Sequence, residues 1–197
     1  MRFEIFKFDN LTSTNDMAIN IIKNKNKNSG FIYSKNQSEG RGTQGKKWVS
    51  LEGNFFGSLF FDLKDTYPPF NEFAIINPII ISDVLKKISN NDDIQLKFPN
   101  DIFMNKKKIC GILQEVINNK GKHFLIVGIG INISSNPTLN DNYKATNILH
   151  ETNKNPLINE IIELIIVSYE SFFNNIKSYD YVYYKNKANL MTLDKQY

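Results

Sequence analysis

The sequence predicts one globular domain built from both strands and helices. Two patterns carry this. Apolar runs of strand length bounded by turn residues stand at 31–34, 55–61 and 124–133, and helical apolar spacing runs through Ile158, Ile161, Ile162, Ile165, Tyr169 and Phe172. A length of 197 residues suits a single domain with a sizeable core. A hydrophobic fraction of 41% with 13% aromatics excludes a disordered chain. No apolar run approaches the ~20 residues that span a bilayer, so a soluble protein is expected.

Residues 3–8 alternate as a first strand, and Thr12 or Ser13 caps a helix carrying Met17, Ala18, Ile21 and Ile22 on one face. Residues 23–30 read as a polar linker. Strands follow at 31–34 and 55–61, where Gly57 marks a close approach. Beyond the Pro68-Pro69 connection, Asn77-Pro78 reads as the cap and first position of a helix to about Lys87. A strand at 94–96 leads to Lys97-Phe98-Pro99-Asn100-Asp101, then a strand opens with Lys106-Lys107-Lys108, turns at 118–122 and returns through 124–133. Asn155-Pro156 opens an amphipathic helix, and 179–191 adds another. There are no internal repeats.

The net charge of +4 is spread over Lys/Asn-rich loops with no basic block interleaved with aromatics, which argues against nucleic-acid binding. The amino terminus lacks a signal-peptide core, and a lone cysteine, Cys110, excludes an internal disulfide and a cysteine-rich metal site. A cytoplasmic location is expected.

Four stretches have chemical potential. In Gln37-Ser38-Glu39-Gly40-Arg41-Gly42-Thr43-Gln44-Gly45-Lys46-Lys47-Trp48, glycines bare the backbone N–H groups, cations stand between them, and the indole offers a stacking surface. The loop is either a lid for an anionic, nucleotide-like ligand or a solvated turn. Pro99 sets Asn100 and Asp101 rigidly at a strand end, as a site or as an ordinary turn. Strict alternation pairs Ile109 with Gly111 and Lys108 with Cys110, which leaves Lys108 either on a small or apolar face needing an anion or solvated at a hairpin tip, where Lys106 and Lys107 are expected. Gly128 and Gly130 share one strand face and leave either a groove for a flat ring, continued by Asn132, or room for a bulky neighbour.

The ordered motifs Ser13-Thr14-Asn15, Gln37-x-x-Gly40-Arg41-Gly42-x-x-Gly45-x-x-Trp48, Lys97-Phe98-Pro99-Asn100-Asp101, Lys108-Ile109-Cys110-Gly111-Ile112-Leu113 and Gly128-Ile129-Gly130-Ile131-Asn132 resemble the catalytic domain of biotin protein ligases. The resemblance implies an α+β fold with a mixed, mostly antiparallel sheet flanked by helices, like that of class II aminoacyl-tRNA synthetases. It implies that biotin and ATP, with Mg2+, give biotinyl-5′-AMP, after which a lysine of a biotin carboxyl carrier protein takes the biotinyl group.

By the same resemblance, biotin contacts fall to Ser13, Thr14, Gln37, Gly40, Arg41, Lys108, Gly111, Leu113 and Gly128. The nucleotide falls to Trp48, Asn100 and Asn132, and Lys108, Arg41 and Asp101 carry the chemistry. The metal ligands are unassigned and the oligomeric state is open, a homodimer included. The whole chain, 1–197, is expected to be this catalytic domain, with no helix-turn-helix before it, hence no DNA binding, and with the C-terminal β-barrel of many relatives absent or truncated. Thr43 departs from the arginine that many relatives carry, and Phe98 from their tryptophan. Lipoate ligases and octanoyl transferases share the related fold, but the arginine and triple-glycine motif of lipoate ligases is absent; a binder without turnover is the other alternative.

Overall fold

In a computed structural model that describes residues 1–138 and 143–193, a seven-stranded sheet forms the centre. Its strands are β1 (Glu4–Leu11), β2 (Ser29–Gln37), β3 (Phe55–Asp62), β4 (Ile94–Lys97), β5 (Asp101–Met104), β6 (Lys107–Asn119) and β7 (Lys122–Ile131). They lie in the order β1-β2-β3-β7-β6-β5-β4. Only β1 and β2 pair in parallel, so the sheet is mixed and mostly antiparallel as expected. The helices are α1 (Thr14–Lys25), α2 (Phe73–Ser89), α3 (Ile148–Thr152), α4 (Ile158–Asn174) and α5 (Tyr181–Met191).

Strict alternation along the strands makes two cores. Ile32, Phe60, Phe124 and Ile126 point to one face and meet Ala18, Ile21 and Ile22 of α1. Phe31, Leu59, Phe61, Leu125 and Val127 point to the other, where α2 and α4 cover them with Phe73, Ile76, Ile81, Ile165 and Tyr169. Gly57 lies between the rings of Phe31 and Phe55, which a Cβ would approach to 2.8 and 2.9 Å, so the close approach read from the sequence is real. Cys110 is buried in the larger core. Among the described residues no helix is long and apolar enough to cross a membrane.

Several boundaries differ from expectation. The stretch 23–30 is no linker: α1 runs to Lys25 and β2 starts at Ser29. Helix α2 starts at Phe73, so Pro78 lies inside it and Asn77 is not a cap. Instead Asn77 is buried, accepts from Tyr169 Oη at 2.8 Å and donates to Gln114 at 2.7 Å. Near a helix start Pro78 removes a single backbone bond, and the heavily buried face of α2 outweighs that loss. Strand β5 was not expected. Four residues between a Pro-Asn turn and a lysine run show little periodicity, and the hairpin partners β4 and β6 define the strand.

The segment after Tyr143 is tied to β6 by a buried carboxylate. Glu151 accepts hydrogen bonds from Asn105 Nδ2, Lys107 Nζ and Thr146 Oγ1. Lys107, read as a solvated tip residue, is thus an ion-pair partner. Burial opposes the charge on Glu151, but Lys107, Thr146 and Asn105 outweigh it and hold the carboxyl at about 2, below its ordinary 4.5. The folded value lies below the unfolded one, so the stabilisation is complete above about pH 4.5 and is lost as pH falls through about 2. Glu151→Gln is expected to lower stability by about 1–3 kcal/mol at pH 7. Denaturant titrations of both proteins should converge toward pH 2; a difference independent of pH would contradict this.

Candidate active site

The site lies on the face of the sheet that carries α1, where the apolar side chains stop. Past Ile126 the same face of β7 reads Gly128, Gly130 and Asn132, and β6 places Leu113 beside Gly128 and Gly111 beside Gly130. A Cβ on Gly128 would lie 2.5 Å from Asn15 Oδ1. A Cβ on Gly130 or Gly111 would lie 2.4 or 2.5 Å from the Trp48 ring. Of the two alternatives the glycines leave open, the structure shows room for neighbours: the protein's own Asn15 and Trp48 rest on the bared strand face, which also lines a cavity.

The first turn of α1 forms one wall. Ser13 caps the helix by accepting from Asp16 N at 3.4 Å. Gln37 Oε1 accepts from the Thr14 backbone at 2.8 Å and from its hydroxyl at 3.1 Å. Buried Ser58 on β3 sets its hydroxyl 2.7 Å from Thr14 Oγ1 and 2.5 Å from Asn15 Oδ1. Asn15 Nδ2 in turn donates to Glu115 Oε2 at 2.7 Å.

The glycine loop folds back as a small hairpin over this wall. Gly42 N donates to Lys46 O, Trp48 N donates to Gly40 O, and the turn between passes through positive φ at Gln44 and Gly45. Arg41 lines the cavity, and its guanidinium is paired with carboxylates: it makes two bonds to Glu115, of 2.8 and 2.7 Å, and one of 2.7 Å to Asp16. Gly40 falls outside the cavity lining, with its backbone against Trp48 O.

Lys108 reaches the site through an irregularity that simple alternation misses. The register of β5 against β6 shifts between Ile102 and Phe103, so Cys110 and Lys108 face successive β5 residues and Ile109 has no β5 partner. Ile109 and Cys110 both enter the main core, while Lys108 and Gly111 both line the cavity. Lys108 Nζ pairs with Asp101 at 2.7 Å and stands 5.7 Å from the Trp48 ring centroid. Asp101 also accepts from Tyr143 Oη at 3.1 Å. Asn100 is clasped to β6, donating from Nδ2 to Ile112 O at 2.8 Å and accepting from Ile112 N. Asn132 Nδ2 donates to Thr146 O at 2.9 Å, which leaves its buried Oδ1 without a partner; buried Trp48 Nε1 also has none. Each is costly to bury without a partner.

One cavity thus gathers Ser13, Thr14, Gln37, Arg41, Trp48, Asn100, Asp101, Lys108, Gly111, Leu113, Gly128 and Asn132. Sequence reasoning passed over Asn15 as a site residue, and over Asp16, Ser58, Glu115 and Tyr143. Asn15 stood inside a quoted motif, and Glu115 two residues past one; Ser58 and Tyr143 had no local signal. Among the described residues no group of three or more His, Cys, Asp or Glu could hold a metal.

The sequence profile of the biotin/lipoate A/B protein ligase family matches residues 6–132. The bifunctional ligase/repressor BirA of Escherichia coli is 29% identical over 126 residues, 63% of this chain and 39% of that protein. The biotin–[acetyl-CoA-carboxylase] ligase of Paracoccus denitrificans is 28% identical over 127 residues, 64% of this chain and 52% of that one. The match therefore spans about half the length of these curated relatives or less. The structure of the biotin protein ligase of Leishmania major with biotin superposes with a TM-score of 0.84 at 22% identity, covering 98% of this chain and 82% of that one. The Aquifex aeolicus enzyme with biotin and ATP superposes at 0.79 with 24% identity, covering 96% and 78%. With the family profile spanning residues 6–132 and the same fold in these ligases, the chain belongs to the biotin/lipoate A/B protein ligase family.

Proposed function

We propose that this protein activates biotin with ATP to biotinyl-5′-AMP and passes the biotinyl group to a lysine of a biotin carboxyl carrier protein, in the cytoplasm. The observation that carries this reading is the single cavity that joins the α1 cap, the glycine loop, Lys108 and Asn132. The relatives named as biotin ligases supply the substrate class.

In the first step a carboxylate oxygen of biotin attacks the α-phosphorus of ATP. A C–O–P anhydride forms, the bond to the bridging oxygen breaks, and pyrophosphate leaves with the electron pair. Two unit charges 4 Å apart repel by about 4 kcal/mol at an effective dielectric near 20. Lys108 is the cation placed to offset this, held at its station by Asp101. Any Mg2+ enters with the phosphates of ATP. The polar cap of Ser13, Thr14 and Gln37 suits the ureido head of biotin, which needs both donors and acceptors.

The nucleotide fits the other end of the cavity. Asn132 Oδ1 is an open acceptor for the exocyclic amine of adenine, and Asn100 stands nearby as a second polar contact. Trp48 provides the apolar surface. In the second step the neutral amine of the acceptor lysine attacks the acyl carbon, and AMP leaves. Asp101, between Lys108 and Tyr143, is the carboxylate available to orient that amine. Closure of the loop over the anhydride shields it from water.

Lys108→Ala is expected to abolish adenylate formation, by about 100-fold or more, with the far-ultraviolet spectrum unchanged; a normal yield of labelled biotinyl-AMP would remove Lys108 from the chemistry. Trp48→Ala is expected to weaken ATP binding by about tenfold, read by calorimetry, and unchanged affinity would refute the contact. Offering biotin, lipoate and octanoate separately, each with ATP and a carrier domain, decides the substrate: transfer of lipoate without biotin overturns the assignment.

A further inference from the structure

The amide of Asn132 is held so that only one way round is allowed. Asn132 is 2% exposed and lines the cavity; its Nδ2 donates to Thr146 O at 2.9 Å, while Oδ1 has no partner among the described residues. Turning the amide over would set Oδ1 against the Thr146 carbonyl, acceptor against acceptor, in a buried place where that contact is costly. The orientation therefore depends on where Thr146 O stands. Thr146 is held on two sides: its N–H donates to Lys108 O at 2.8 Å, and its hydroxyl donates to Glu151 Oε1. Glu151, on α3, is braced in turn from the β5–β6 hairpin by Asn105 Nδ2 at 2.7 Å and Lys107 Nζ at 2.8 Å. A chain of contacts thus runs from that hairpin through Glu151 and Thr146 to the Asn132 amide.

We propose that Glu151 and Thr146 are positioning residues that keep the Asn132 oxygen as the open half of the amide, so that the site selects a purine bearing an amine at C6 over one bearing a carbonyl there. This rests on the proposed placement of the nucleotide base at Asn132. A fixed acceptor takes a hydrogen bond from the exocyclic amine of adenine. Against the C6 carbonyl of hypoxanthine it meets a second acceptor, and neither oxygen is satisfied once water is excluded. Freed from Thr146, the same amide can turn and offer Nδ2, which suits the carbonyl. Selection among bases therefore comes from the support behind Asn132 as well as from Asn132 itself. The anchor of that support is partly desolvated, since the Glu151 side chain is 7% exposed and that of Lys107 37%, and its charge-assisted bonds restrain more than those of a fully exposed pair.

Calorimetry with ATP and with inosine triphosphate, which carries the C6 carbonyl, reads this selection without biotin or turnover. The parent protein is expected to favour ATP by about tenfold or more. Thr146→Val, which removes the bond to Glu151 and keeps the backbone contacts, is expected to lower that ratio about threefold, and Glu151→Ala about three- to tenfold. A merely structural loosening weakens both nucleotides alike, so an unchanged ratio in either folded variant overturns the proposal. If Glu151→Ala does not fold, as read by its far-ultraviolet spectrum, Thr146→Val decides by the same criterion. Asn132→Ala is expected to abolish the preference, and adding Glu151→Ala to it to change the ratio no further; any further change means that Glu151 acts by another route and overturns the proposal. A parental ratio in Asn132→Ala overturns the placement of the base together with the proposal. A preference lost in Asn132→Ala but kept in the Glu151 and Thr146 variants overturns the positioning role alone. Failure of the parent to transfer biotin would strike the ligase reading and leave these ratios standing.

Discussion

The site depends on one constraint, the absence of side chains at Gly111, Gly128 and Gly130 on the α1 face of the sheet. A strand face normally carries a residue every second position, and here that row is interrupted just where α1 begins. The main chain of β6 and β7 is left bare, so Asn15 and the indole of Trp48 settle directly on it. A single methyl group at Gly130 would meet the indole at 2.4 Å. The loop and the helix start thus take their positions from the floor beneath them.

Charge follows the same economy. Two cations that line the cavity are each set by carboxylates: Lys108 by Asp101, and Arg41 by Glu115 and Asp16. A cation held in a partly desolvated cavity without a partner would be costly, and a partner also fixes its rotamer. Lys108 has one carboxylate partner, which it shares with Tyr143, whereas Arg41 has two. Two cations that look equivalent in sequence therefore have different surroundings.

Much of this was legible in the residues. The apolar runs at β2, β3 and β7 and the periodicity of α4 lie close to their predicted places, since both signals come from burial on a regular period. What escaped were departures from regularity. The shift in register at Ile109 reverses the face of Lys108, and no local pattern announces it. Pro78 was read as a helix start, yet the helix begins five residues earlier because tertiary burial offsets one lost hydrogen bond. In the site, motif spacing located the lining, but the partners of Arg41 could not be read, since Glu115 lies 74 residues away in the chain.

Cys110 gives the molecule an internal reporter. The only thiol sits with no exposed surface in the main core, and burial pushes its ionisation well up, so the reactive thiolate is suppressed while the sheet is intact. An alkylating dye therefore reaches it only when the core around Cys110 opens, and labelling reports local opening of the sheet that carries Asp101 and Lys108.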